Sequence, residues 1–282
     1  MFLIREKEFL NQAVFRVVIH APLIAKKAEP GQFVIVRVSA EGERIPLTIS
    51  DYDRAAGTIT LVVQAVGATT LRLSRMAAGE MLPDVAGPLG RATNLDGIRR
   101  AAVVGGGVGC AIAYPVARKL REMGAQVDGV IGFRSAELVI LRQEFARTTD
   151  RLLLMTDDGS AGEKGLVTDA LRRLIEGGAQ YDAVFAIGPL MMMKFVSRLT
   201  KAYGVKTIVS MNPIMIDGTG MCGCCRLTVG GEMKFACVDG PDFDGHEVDF
   251  DEVLHRGGTY AEFERHAYER ECNLLKEGGE NG

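Results

Sequence analysis

Residues 98–211 alternate between short β-branched runs and longer helical patterns, and this alternation restricts the fold more than any other feature of the chain. "RRAAVVGGG" reads as a strand and "CAIAYPVARKLREMGA" as a helix stopped by Gly124. The strand "QVDGVIGF" precedes the helix "SAELVILRQEFAR", and "RLLLMTDDG" precedes "LVTDALRRLIEGGA". "YDAVFAIG" then precedes "PLMMMKFVSRLTKAYG", and "KTIVSM" is a fifth strand. This order predicts a doubly wound parallel sheet with helices on both faces, a fold that binds ligands at the carboxyl ends of its strands.

At that edge stands "VVGGGVG", with Gly105, Gly106, Gly107, Val108 and Gly109 between the first strand and the first helix. Glycines there let the backbone approach a diphosphate, while the helix start supplies amide donors. The residues predict dinucleotide binding, although their order departs from G-x-G-x-x-G. The second strand ends in "GFRS", with no acidic residue, so Arg134 and Ser135 suit a 2′-phosphate. Asp157 and Asp158 end the third strand and serve either as loop caps or as ribose contacts. NAD and NADP both stay open. "AIGPLMM" ends the fourth strand, and Gly188, Pro189, Met191 and Met192 either wall a nicotinamide pocket or simply open a helix with proline in its first turn.

The rest of the 282 residues divide around this sheet. Residues 1–97 read as an antiparallel β-barrel, from runs such as "AVFRVVIHAP", "GQFVIVRVS", "RIPLTISDYD" and "TITLVVQAV" broken at "EPG", "AEGE" and "RAAG". A proline inside "RIPLTIS" marks a ligand-facing kink or an edge, and "VGATT" (Val66 to Thr70) opens a helix with free amides and hydroxyls. Residues 212–282 hold a cysteine-rich segment and then a tail with 13 acidic against 4 basic side chains from Asp239 onward. The tail's apolar residues, among them Phe243, Val248, Phe250, Val253, Tyr260 and Phe263, predict docking on a partner or over the cysteine segment. A net charge of −3 argues against nucleic acid as a partner. Early charges in "MFLIREKEFLNQ" and the lack of a long apolar run predict a cytoplasmic protein without membrane insertion.

The cysteine segment carries the strongest motif. Asp217, Cys222, Cys225 and Cys237 are spaced D-x4-C-x2-C-x11-C. Plant-type [2Fe–2S] spacing is C-x4-C-x2-C followed by a distant cysteine, so the match is complete but for aspartate in place of the first thiolate. Gly218, Gly220 and Gly223 let the loop fold back on its own sulfurs. Zinc would require a cramped choice among Cys222, Cys224 and Cys225 beside a single Cys237. Cys224 is then the spare thiol, and Cys110 and Cys272 are structural.

A barrel, a nucleotide sheet with a Gly-Pro-x-Met-Met edge and a C-terminal [2Fe–2S] loop together resemble the ferredoxin reductase superfamily. Two of its groups share the order of parts: the electron-transfer subunits of dihydroorotate dehydrogenase, and the small subunits of NADH-dependent reduced ferredoxin:NADP oxidoreductase (sulfide dehydrogenase). "PGQF", "RIPLTI", "VGGGVG", "DDGS", "IGPLMM" and "DGTGMCGCCRLTVGG" resemble the second group, as does Asp217 at the first ligand position. The resemblance implies FAD held by Arg44, Pro46, Leu47 and Thr48, by Leu61, Val62 and Val63, and by Gly67, Thr69 and Thr70. It implies NAD(P)(H) on Gly105–Gly109 and Gly188–Met192, beside the Arg134 and Asp157 already read from the strand ends as candidate nucleotide contacts. It implies a heterodimer in which hydride enters at FAD and single electrons leave through the cluster to a larger flavoprotein and iron–sulfur subunit, with ferredoxin reached through that partner. There are departures. The usual Arg-x-aromatic-Ser is Ile45-Pro46-Leu47-Thr48 here, with the arginine shifted by one place; Ile112 stands where proline is common, and Cys224 where alanine is usual. The alternatives are an electron-transfer subunit of an NAD-dependent dihydroorotate dehydrogenase, or a nucleotide sensor whose cysteines hold zinc.

Overall fold

In the N-terminal strands alternate side chains fill a barrel, and the opposite face meets the rest of the molecule. The computed structural model describes residues 1–279, with side chains through Cys272. Its first sheet contains β1 (Phe2–Phe9), β2 (Val14–His20), β3 (Phe33–Arg37), β4 (Ile45–Asp53), β5 (Thr58–Gln64), β6 (Met81–Leu82) and β7 (Asp84–Leu89), with short helices α1 (Pro22–Lys27) and α2 (Ala68–Leu73). The strand order is β6-β1-β2-β5-β4-β3-β7, antiparallel throughout. Val34 and Val36 point into the barrel core with Ile49, Leu61 and Val63, whereas Phe33 and Ile35 face the core beneath the second sheet.

The second sheet follows the alternation in the sequence. It uses β8 (Arg100–Gly106), β9 (Gln126–Phe133), β10 (Arg151–Thr156), the two-residue β11 (Glu163–Lys164), β12 (Ala183–Ile187) and β13 (Thr207–Ser210), all parallel. The crossovers are α3 (Cys110–Glu122), α4 (Arg142–Thr148), α5 (Val167–Glu176) and α6 (Leu190–Ala202). One expected helix is shorter than its pattern. In "SAELVILRQEFAR" only a single tight turn, Ala136–Leu138, and α4 are helical, because Leu141 takes a left-handed φ of 55° and interrupts the run.

The cysteine segment forms a hairpin, β14 (Arg226–Val229) with β15 (Glu232–Phe235), turned at Gly230 and Gly231. After it, β16 (Asp242–Asp244) adds antiparallel to β13, so the order is β11-β10-β9-β8-β12-β13-β16. Helices α7 (Phe250–Gly257) and α8 (Ala261–Gly279) end the described chain. The tail thus follows one arm of its expectation. Val248, Phe250 and Val253 are buried in the chain's own core, and Phe243 packs against it, leaving Tyr260 and Phe263 exposed. Asp249 caps α7 and its amide donates to the Thr228 carbonyl at 2.9 Å, which seats α7 on the hairpin. No helix among the described residues is long and apolar enough to cross a membrane.

Candidate functional site

At the carboxyl edge of the second sheet, β8 ends in Gly105 and Gly106, and Gly107–Gly109 form one tight turn into α3. A Cβ on Gly109 would lie 2.5 Å from the Gly188 Cα and 2.6 Å from the Ile187 carbonyl. A Cβ on Gly106 would come 3.0 Å from Pro189 Cδ and closer still to the Met192 sulfur. The glycine loop and the Gly-Pro edge are therefore one surface, and only glycine permits their approach. Of the methionine run, Met193 is core, Met192 covers Gly106, and Met191 turns outward at 45% exposure. Arg134 and Asp157 are exposed neighbours at the ends of β9 and β10, where the Asp157 amide donates to the Phe133 carbonyl at 3.1 Å. Asp158 instead serves its own loop: the Ser160 hydroxyl and amide donate to it at 2.6 and 2.9 Å and hold its carboxyl below the usual range.

The outer face of the barrel forms a grid. In register, Phe33 lies between Thr48 and Leu89, and Ile35 between Pro46 and Ala86. One step further Arg37 stands beside Asp84, and the Arg44 guanidinium meets the Asp84 carboxylate at 3.3 Å. Thr48, Pro46 and Arg44 share this half-buried face, whereas Leu47 turns toward the barrel core. Leu61 and Val63 are buried in that core as well, so only their backbone can face a ligand; Val62 points outward against the second sheet. Thr70 Oγ1 accepts the Gly67 amide at 3.0 Å, and the Thr69 hydroxyl donates to Glu43 at 2.9 Å, which ties the α2 turn to the start of β4. The Arg37 Nε is buried with no partner. This unmatched donor suits an anionic cofactor such as a flavin dinucleotide.

The cysteine loop lies on the same grid. A Cβ on Gly218, which has φ of 81°, would meet Ile35 at 2.9 Å and Leu89 at 3.0 Å. Cys225 and Cys237 are buried with their sulfurs 3.3 Å apart. Burial, followed by the neighbouring Cys225, pushes the Cys237 thiol up to about 12. Cys222 is exposed, and amides of Cys224, Asp217 and Ile216 aim at its sulfur and lower its pKa. Such amide donors match sulfurs that carry negative charge, so the loop fits an iron–sulfur cluster. Asp217 does not close the set: its carboxylate accepts the Thr219 amide at 3.0 Å, the Thr219 hydroxyl, and the Met221 amide at 3.3 Å. Among the described residues no three His, Cys, Asp or Glu side chains converge as a preformed metal site. The nearby Cys224 thiol is raised, chiefly by burial.

Comparison with known proteins bears on this arrangement. The iron–sulfur cluster binding domain of dihydroorotate dehydrogenase B matches residues 212–249. Over 276 residues the chain is 47% identical to the dihydroorotate dehydrogenase B (NAD(+)) electron transfer subunit homolog of Thermotoga maritima, covering 98% of this chain and 96% of that one. The chain belongs to the family of dihydroorotate dehydrogenase B electron-transfer subunits and their homologues. The electron transfer subunit of Geobacillus sp. is 34% identical over 257 residues, covering 88% of this chain and 97% of the relative. A chain of the NADH-dependent reduced ferredoxin–NADP oxidoreductase structure superposes with a TM-score of 0.91 at 45% identity, covering 96% and 97% of the two chains. The architecture is that of the ferredoxin reductase superfamily.

In this electron-transfer-subunit family member, several contacts that hold the three parts together escaped the sequence reading. The buried Ser50 hydroxyl donates to the Ala111 carbonyl at 2.7 Å, fixing β4 to the start of α3. Asp51 pairs with Arg118 beside it. The Thr93 hydroxyl, in the connection between the sheets, donates to Asp242 at 2.6 Å. The only sequence signal was a polar residue where a strand pattern expects an apolar one, as in "TISDYD".

Proposed function

We propose that this chain is a flavin and iron–sulfur electron-transfer subunit that exchanges hydride with NAD(P)(H) at FAD. It passes single electrons through a [2Fe–2S] cluster to a larger flavoprotein subunit, in the manner of an electron-bifurcating ferredoxin:NADP oxidoreductase. One observation carries the reading: the cysteine loop touches the barrel at Ile35 and Leu89, one strand from Pro46 and Thr48, while Ser50 of that same β4 bonds to the glycine-loop helix. Bound FAD accepts an electron pair as hydride and releases electrons singly, which is the chemistry required between a nicotinamide and a one-electron cluster. The chain's own residues orient and shield. Amides after Gly106 serve a diphosphate, Pro189 and Met192 wall the nicotinamide, and Pro46 and Thr48 support the flavin ring. Cys222, Cys225 and Cys237 hold iron, with Asp217 as the fourth ligand once it leaves its loop amides. No protein acid or base is required.

The test is an absorption spectrum of anaerobically purified protein before and after NADH or NADPH. The expected spectrum shows flavin and sulfide-to-iron bands, both bleaching with reduced nucleotide. A colourless, zinc-containing protein would sink the reading. The match of residues 212–249 to the dihydroorotate dehydrogenase B domain favours a second reading, an orotate-forming partner. Orotate production by the co-purified complex would identify it.

A further inference from the structure

Arg37 occupies a position that neither the motifs nor the resemblance singled out. Among the described residues only two buried side-chain nitrogen or oxygen atoms lack a hydrogen-bond partner, Arg37 Nε and Asp242 Oδ1. Arg37 ends β3 on the outer grid, in register with Asp84 and one step beyond the pairing of Val36 with Ile45, hence beside Arg44. Its Nη1 donates to the Ala40 carbonyl at 3.0 Å, which fixes the guanidinium against the loop leading to β4. The carboxylates around it are engaged elsewhere. Asp84 meets Arg44, Glu43 accepts from Thr69, and Asp217 accepts from its own loop. A buried cationic donor with no acceptor is costly, and an anionic oxygen is the partner that best relieves it.

We propose that Arg37 is a further flavin-binding residue, whose Nε donates to the diphosphate of FAD alongside Arg44. The proposal rests on the functional reading above for the presence of FAD. The loop it holds runs from Arg37 to Arg44 and is tied to the Gly67–Thr70 turn through the bond between Glu43 and Thr69. Arg37 thus acts by contact with the cofactor's phosphates and has no role at the isoalloxazine ring.

The test compares wild type with Arg37→Met and Arg37→Lys, each checked for folding by far-ultraviolet circular dichroism. Release of FAD from diluted holoprotein is followed by the rise in flavin fluorescence, and riboflavin affinity is measured on deflavinated protein. Arg37→Met should release FAD about tenfold faster or more, with Arg37→Lys in between, and riboflavin, which has no phosphate, should bind all three alike. Unchanged FAD release in both variants would overturn the proposal. So would equal weakening of FAD and riboflavin, which marks general loosening, or a change confined to cluster content. A wild type that holds no FAD would instead fail the functional reading beneath it.

Discussion

The Asp217 carboxylate caps its own loop, and the proposed role as fourth iron ligand would compete with that use. The hydrogen bond from Thr219 is the main cause holding its carboxyl below the ordinary range, with amides of Thr219 and Met221 adding to it. The same bonds keep the loop turned at Gly218 and Gly220. Asp217→Cys completes C-x4-C-x2-C, so it should still assemble a cluster, and softer anionic sulfur should lower the midpoint. Electron paramagnetic resonance during redox titration reads this; an unchanged spectrum and midpoint would leave Asp217 as a loop cap. Cys225 and Cys224 divide more sharply. Cys225 is 1% exposed with its sulfur against that of Cys237, whereas Cys224 lies outside the matching spacing. Cys225→Ala should abolish bound iron and sulfide while Cys224→Ala keeps both.

Within the second sheet the two edges do different work. At the amino edge Asp128 of β9 accepts from Arg151 Nη2 at 2.8 Å and Nε at 3.1 Å and from the Tyr181 hydroxyl at 2.6 Å, with Arg100 at 4.0 Å. Burial raises its pKa, but these bonds and charges outweigh burial and leave it lowered. A depressed carboxyl stabilises the fold above its unfolded pKa and loses that contribution as pH falls through the folded value. Asp128→Asn should cost about 2–3 kcal/mol near pH 7, discounted for half-exposed arginines, and the deficit should shrink in acid. Thermal melts across pH measure it; a deficit independent of pH would count against the charge. The carboxyl edge is left to glycines and methionine. That division of edges was legible, since parallel order alone sets which strand ends hold ligands. The break at Leu141 was not, because "VILRQEF" keeps a helical pattern through a residue whose tertiary setting takes a left-handed φ. Nor did "FLIREKEF" announce β1: its run of charges, with Arg5, Glu6 and Glu8 exposed, hides the strand pattern, and only its pairing with β2 reveals it.

Across the molecule, barrel, sheet and cysteine segment meet at Asp242. One carboxylate oxygen takes the Thr93 hydroxyl at 2.6 Å and would lie 3.1 Å from a Cβ on Gly31, while the other is enclosed without a partner. The nearby Arg91 looks elsewhere, toward Asp239 at 3.9 Å. Burial is the main cause raising the Asp242 pKa, eased by the Thr93 hydrogen bond. A raised carboxyl favours the fold at pH below its unfolded value, and that advantage is lost as pH rises through the folded one. Relative to Asp242→Asn, the wild type should therefore lose stability from pH 4 toward neutrality, by about 1.4 kcal/mol for each unit of elevation. Parallel melting curves for the two would refute a neutral acid at this junction. No residue type or spacing pointed to Asp242, because it acts through distant Thr93 and Gly31, and a single sequence carries no such pairing.

The strand that follows the cysteines has a consequence for how such chains can be built. Ser210 of β13 pairs with Asp242 of β16, and the Met211 amide reaches the Pro241 carbonyl at 2.8 Å. Everything from Met211 to Pro241 is thus the enlarged tip of one hairpin, its two ends already joined at the base. Ring closure costs little more for a long tip than for a short one. The cysteine-bearing stretch is in effect a cassette: a tight turn in its place would leave both sheets closed as they are, and a different cassette could be carried without redrawing the sheet beneath it.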